Sequence, residues 1–214
     1  MPRVSSCFTC FTGCAVFLWL AIGVTIPALA GPKIQPSLVG PKPAKQRPAR
    51  ELIRAQDPAV LTPRVYDSVT PDNAFILVSL SKQRAYLMTG RNGEIAIDTP
   101  ISSGKAAGMT PKGAYAVLEK DRDHRSSVYG NFVDRKGRVV RSGVSTRIDS
   151  APSGTRYVGA PMWYFMRFTW QGVGMHVGIL PGYPASHGCI RLPADIAPRF
   201  YEKVKIGTPA QIIE

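Results

Sequence analysis

The sequence predicts a mainly β fold, a sandwich or open barrel with one C-terminal helix. Three observations lead there. Short apolar runs rich in Val, Ile, Tyr and Phe recur from residue 74 onward, spaced as strands rather than helices. Clusters of Gly, Asn, Ser and Pro separate them, the residues that turns demand. Apolar residues recur at helical spacing in one clear stretch, ADIAPRFYEKV at 194–204.

The elements follow in order. AFILVSL (74–80) is a continuous apolar run, short enough for a buried strand. SKQ makes a turn and RAYLM (84–88) returns, which predicts a hairpin. TGRNG (89–93) is a second turn, and EIAIDTPIS (94–102) a third strand. SGKAAGMTPKG (103–113) reads as a loop and AYAVLE (114–119) as a fourth strand. Residues 120–158 are polar and crowded with Arg and Ser, which predicts an excursion over the surface. APMWYFMRFT (160–169) and GVGMHVGI (172–179) resume strand character. In 194–204, Ile196, Phe200 and Val204 share one helical face, with Asp195 as N-cap, Pro198 in the first turn and Gly207 as the stop. TPAQIIE then closes with a strand.

Three regions are expected. Residues 1–30 read as a cleavable signal: Arg3, an apolar run from Ala15 to Ile26, then Ala28-Leu29-Ala30 before the cut. That run is roughly 12 residues long, against about 20 for a membrane span. The protein is therefore expected to be exported to the periplasm or cell envelope. Residues 31–72 are rich in Pro and basic residues and read as a flexible tether, with at most one helical turn at ELIRAQ. Residues 73–214 suit a single domain. The chain holds 27 basic and 14 acidic residues, net +13. Such a balance either favours a polyanionic partner, with export arguing for anionic lipid or an acidic envelope polymer over nucleic acid, or mainly keeps the protein in solution. Nothing points to oligomerisation, so a monomer is expected. No cofactor loop is present. SGKAAG lacks the P-loop spacing, and the glycines of GVGMHVG do not fit a dinucleotide loop.

Signal removal changes the cysteine chemistry. Cys7, Cys10 and Cys14 lie inside the first thirty residues, which leaves Cys189 alone and without a disulfide partner. It sits in YPASHGCIRLP (183–193), two residues after His187, and the turn ILPGYPA can fold back to set His176 opposite it. A thiol of ordinary pKa, about 8.5, is only a few per cent thiolate near neutrality, and an imidazole beside it raises the reactive fraction. Gly188 lets the backbone bend so that its N–H and that of Cys189 converge on a developing oxyanion. Two other readings stand beside this one: an inert core thiol, and a Zn²⁺ site of His176, His187 and Cys189, although no acidic partner lies close in sequence. His124, in DRDHRSS, reads as a surface residue.

These residues resemble a known family. His176, a gap, then Ser186-His187-Gly188-Cys189 is similar to the signature of the L,D-transpeptidase (YkuD-type) catalytic domain of bacterial envelopes. VSLSKQRAYLMTG resembles its first hairpin, and TPKGAY (110–115) its TP-x-G loop. The resemblance covers residues 73–214 and implies a cysteine-dependent acyltransferase without a cofactor or catalytic metal. Cys189 would attack the peptidoglycan tetrapeptide stem, release D-Ala and form a thioester. An amine of a second stem, or of an envelope protein, would then take the acyl group, forming a 3→3 cross-link in the first case. By the same resemblance His176 is the general base, and His187, Gly188 and Cys189 offer N–H groups to the oxyanion. Arg191 would favour thiolate or hold a substrate carboxylate. Ser186 would brace the loop, and Tyr183 would line the cleft or belong to the core. Three departures stand out. Val177, not glycine, follows His176, the gap to SHGC is short, and Arg191 stands where other members carry asparagine. Transfer of the thioester to water, an L,D-carboxypeptidase, uses the same residues. A non-catalytic wall-binding module needs Cys189 to be inert.

Overall fold

A computed structural model describes residues 54–214. The expected signal and the tether up to residue 53 lie outside the described residues. Among the described residues no helix is long and apolar enough to cross a membrane.

Among the described residues the fold is mainly β, with two short helices. The strands are β1 Val60–Leu61, β2 Ala74–Ser79, β3 Arg84–Thr89, β4 Ile95–Pro100, β5 Gly113–Ala116, β6 Glu119–Asp121, β7 Arg125–Val133, β8 Val139–Ser145, β9 Arg156–Pro161, β10 Phe165–Arg167, β11 Gly174–Val177, β12 Ile190–Leu192 and β13 Pro209–Ile213. The helices are α1 Pro63–Ser68 and α2 Ala197–Lys203.

A six-stranded sheet runs β1-β4-β3-β2-β13-β5, and a four-stranded sheet runs β12-β11-β10-β6. Their apolar faces supply one continuous core. Ile76, Val78, Leu87 and Ile97 come from the first sheet, Met166, Met175, Ile190 and Leu192 from the second, and each is fully buried. β2 reads as an unbroken apolar run because nearly all of its side chains are covered. β13 inserts parallel to β2 and antiparallel to β5, so the last strand lies inside the sheet. In α2 the predicted face is the buried one: Ile196, Phe200 and Val204 join the core. The predicted cap differs. Ile196 occupies the N-cap without a side-chain bond, Pro198 lies in the first turn, and Asp195 stands outside.

Two expectations are corrected. Residues 54–72, expected in the tether, carry β1 and α1. β1 pairs with β4, Thr62 N–H donates to Ala96 O, and Val65 and Val69 are buried in the core. Residues 120–158, expected as a surface excursion, hold β6 and most of a three-stranded sheet ordered β8-β7-β9. β7 alternates exposed and covered residues, then ends in buried Phe132 and Val133. Because that sheet buries only part of one face, its Arg and Ser residues are the solvated face of strands. Gly130 is required there, since a Cβ would stand 2.2 Å from Val158 O.

Candidate active site

β11 and β12 pair in parallel, with His176 opposite Arg191. Their connection therefore crosses over instead of folding back as a hairpin. Cys189 lies one residue before β12, so the strand's alternation sends its side chain to the face that His176 and Arg191 share. Gly174, the position of β11 level with it, is needed for the sheet's own packing, since a Cβ there would stand 2.4 Å from Met166 O and 2.6 Å from the Phe165 ring.

His176 is buried. Its Nδ1–H donates to Val177 O at 2.7 Å, which fixes the tautomer and leaves Nε2 as the free acceptor. Phe165 packs against the ring at a centroid distance of 6.4 Å. Burial pushes the imidazole down to about 4, with Arg191 and His124 adding repulsion. Burial likewise raises the Cys189 thiol, against the opposing pull of the Gly174 N–H and the charges of Arg191 and Arg167. Both effects favour the uncharged form, so the resting pair is a thiol and a neutral imidazole. The Arg191 charge favours thiolate, but desolvation outweighs it. The Cys189 Sγ donates to Gly172 O at 3.4 Å, which aims the thiol across the β10–β11 turn.

The loop before Cys189 is pinned from two sides. Ser186 is buried, and its Oγ donates to Cys189 O at 2.5 Å while accepting from Gly188 N–H at 3.0 Å. This is the expected brace, with a correction attached. The Gly188 N–H is consumed by Ser186 and does not converge with that of Cys189. The N–H groups of His187 and Cys189 have no acceptor among the described residues. From the other side, Thr110 Oγ1 donates to Gly188 O at 2.7 Å and accepts from Gly104 N–H at 2.8 Å. Ser186 N–H donates to Ser103 O, and Ser102 bridges Arg191. Gly188 has φ +132°, and a Cβ on it would stand 2.8 Å from Met109 O, so only glycine fits.

The other predicted residues are placed as follows. His187 is exposed and stacks on Tyr129 of β7, centroids 4.3 Å apart at 17°, while Lys105 Nζ donates to its Nε2 at 3.5 Å. The proposed zinc trio is not brought together. Among the described residues the cluster that gathers metal-ligating atoms is Glu119, Asp121 and His124. There Glu119 already pairs with Arg167 and Asp121 with His124. The Tyr183 ring lies under Arg54, 5.8 Å away, and its carbonyl accepts from Ser102.

Several contributors were not legible beforehand. His124 is mostly buried rather than a surface residue: its Nδ1–H donates to Asp121 at 3.0 Å, and its ring stacks on Phe165 at 4.3 Å. Tyr164, at φ +56°, turns the chain between β9 and β10 so that Trp163 O accepts from Val177 N–H. Thr110 had a signal, the TPKG stretch, but its partner Gly188 is 78 residues away.

Comparison with known proteins follows this geometry. L,D-transpeptidase 1 of Mycobacterium tuberculosis (strain ATCC 25618 / H37Rv) is 29% identical over 143 residues, covering 64% of this chain and 50% of the relative. The chain thus spans about half the length of the curated relatives it matches. Among solved structures, an L,D-transpeptidase from Mycobacterium smegmatis superposes with a TM-score of 0.48 at 21% identity, covering 66% of this chain and 59% of that one. L,D-transpeptidase 1 of M. tuberculosis gives 0.44 at 25% identity, covering 66% and 62%. Residues 73–212 match the YkuD family, the L,D-transpeptidase catalytic domain, and the chain belongs to that family.

Proposed function

We propose that the protein is a peptidoglycan L,D-transpeptidase that works through an acyl-enzyme on Cys189. The observation that carries this is the anchored tautomer of His176, whose Nδ1–H is held by Val177 O and whose Nε2 is left as acceptor on the face that Cys189 shares. Because burial keeps both groups uncharged, proton removal accompanies attack: Nε2 takes the thiol proton as sulfur bonds to the scissile carbonyl of the donor stem. The carbonyl oxygen gains charge, and the N–H groups of Cys189 and His187 are available to it. The imidazolium then returns its proton to the departing nitrogen, D-Ala leaves, and a thioester remains. An acceptor amine that reaches the thioester loses its proton to the same imidazole, bonds to the carbonyl carbon and releases the thiol, forming a 3→3 link. Substrates of this kind lie in the envelope, which fits the export signal expected at 1–30.

The test is intact-mass spectrometry of the full chain with a tetrapeptide donor, then with donor plus acceptor stem. An acyl adduct on Cys189 and a cross-linked dimer support the proposal. Tripeptide without dimer assigns hydrolysis instead. No adduct on Cys189 overturns the enzymatic reading.

A further inference from the structure

The three-stranded sheet carries a basic rim that the acyl transfer does not use. At the end nearest the β7–β8 turn, Arg156 of β9 pairs with Val133 of β7, and Val133 pairs with Val139 of β8. Residues paired across strands share a face, so an arginine and two valines stand in one row. A bulge at this point gives β8 an extra residue, Val140. Val133 is buried and lines a hollow of about 270 Å³ together with Arg135, Arg156, Asp134 and Thr155. Every residue from Arg135 to Gly143 is exposed, Val139 and Val140 included. Residues 125–158 hold seven basic residues and two acids, Asp134 and Asp149. Both acids are engaged within the sheet. Asp134 accepts from the N–H groups of Lys136 and Arg138 and from the Arg138 side chain. Asp149 accepts from Arg141 Nη2 and from the Ser145 N–H. Arg135, Lys136 and Arg156 have no ion pair among the described residues.

Two arginines that flank a hollow without counter-charge suit a phosphate, whose oxygens match the guanidinium fork. The exposed valines beside them suit the apolar layer beneath a phosphate headgroup, and a soluble polyanion makes no use of them. We propose that this rim docks the protein on an anionic lipid bilayer. Arg135 and Arg156 hold a lipid phosphate over Val133, and Val139 and Val140 meet the apolar boundary of the leaflet. Lys136, in the turn, adds attraction to the charge of the surface. The contact lies apart from the nucleophile, but one strand joins the two. Tyr129 of β7 stacks on His187, and it precedes Val133 by four residues, about 13 Å along an extended strand. A docked sheet therefore sets the height of the nucleophile loop above the bilayer. The inference goes beyond the acyl-transfer reading and does not depend on it.

The test is hydrogen–deuterium exchange of the full chain, read on peptides covering 133–143 and 154–158. A local readout separates this contact from any attachment through other segments. The probes are mixed phosphatidylglycerol–phosphatidylcholine vesicles, phosphatidylcholine vesicles and soluble polyphosphate. β8 is an edge strand, so its outward N–H groups exchange readily until something covers them. Mixed vesicles are expected to slow that exchange, and phosphatidylcholine alone to leave it unchanged. Arg135→Gln and Arg156→Gln are each expected to raise the lipid concentration for half-maximal protection about fivefold. Val139→Ser combined with Val140→Ser is expected to weaken protection by vesicles, with exchange in β2, β3 and β4 unchanged as the check on folding. Absence of protection by mixed vesicles, or protection that both arginine variants retain in full, overturns the proposal. Protection by polyphosphate that equals that of vesicles and survives the valine substitutions also overturns it, and assigns the rim to a soluble polyanion.

Discussion

Thr110 donates its hydroxyl hydrogen to the carbonyl oxygen of Gly188 at 2.7 Å, and both residues are buried. The same oxygen of Thr110 accepts from Gly104 N–H, so one side chain ties the 103–113 loop to the nucleophile loop. Thr110→Val keeps the shape but removes both bonds and leaves the half-buried Gly104 N–H and the buried Gly188 C=O unpaired. The expected cost is about 2 kcal/mol of stability. Acylation of Cys189 should slow because the loop loses its rear support, and Thr110→Ser should recover both properties. Thermal unfolding and single-turnover acylation of the three proteins check this.

Gly188→Ala should be far more damaging to chemistry than to folding. The residue needs φ +132° and has Met109 O where a Cβ would go, so the loop must shift. A displaced Cys189 should lower the acylation rate about 100-fold, equivalent to about 2.7 kcal/mol at the transition state. Rapid-quench mass spectrometry reads that loss. Circular dichroism should show the sheets retained.

The buried imidazole sets the pH behaviour. His176 titrates at about 4 when folded, below its ordinary 6.5, so the unfolded chain binds the extra proton across that interval. Stability therefore falls as pH drops through that window and is fully present above it. The loss is about 3 kcal/mol on complete passage, and His176→Gln should flatten it in denaturant titrations from about pH 7 to about pH 4. In the wild type, acylation should hold level near neutrality and fail only in strong acid. A thiolate absorbance band for Cys189 at neutral pH would contradict the uncharged resting pair.

Phe200→Ala tests the packing of α2. Phe200 is fully buried between Ile196 and Val204 on the helix's inner face. Its loss should cost about 3–5 kcal/mol, measured by chemical denaturation. Because α2 contributes no side chain to the site, the fraction that stays folded should still be acylated at Cys189.

The sequence was legible where signals are local. Apolar runs bounded by Gly and Asn placed β2, β3 and β4 almost to the residue, and four-residue spacing found the buried face of α2. The strands within residues 120–158 were misread because a sheet with a wet face shows few apolar positions in sequence. His124 was misread because the acid and ring that hold it, Asp121 and Phe165, come together only when β6 pairs with β10.

By itself, then, the chain order determined the mainly β class, the family signature around Cys189, and the residue types able to carry acyl transfer. Tertiary structure decided how those residues meet. The parallel register set His176 opposite Arg191 and left Cys189 on the same face. The hydroxyl of Ser186 took the N–H of Gly188. Burial made the thiol and imidazole a neutral pair. The physical reason is range: propensity and turn chemistry act between residues near in sequence, whereas desolvation and strand register depend on partners brought together across the fold.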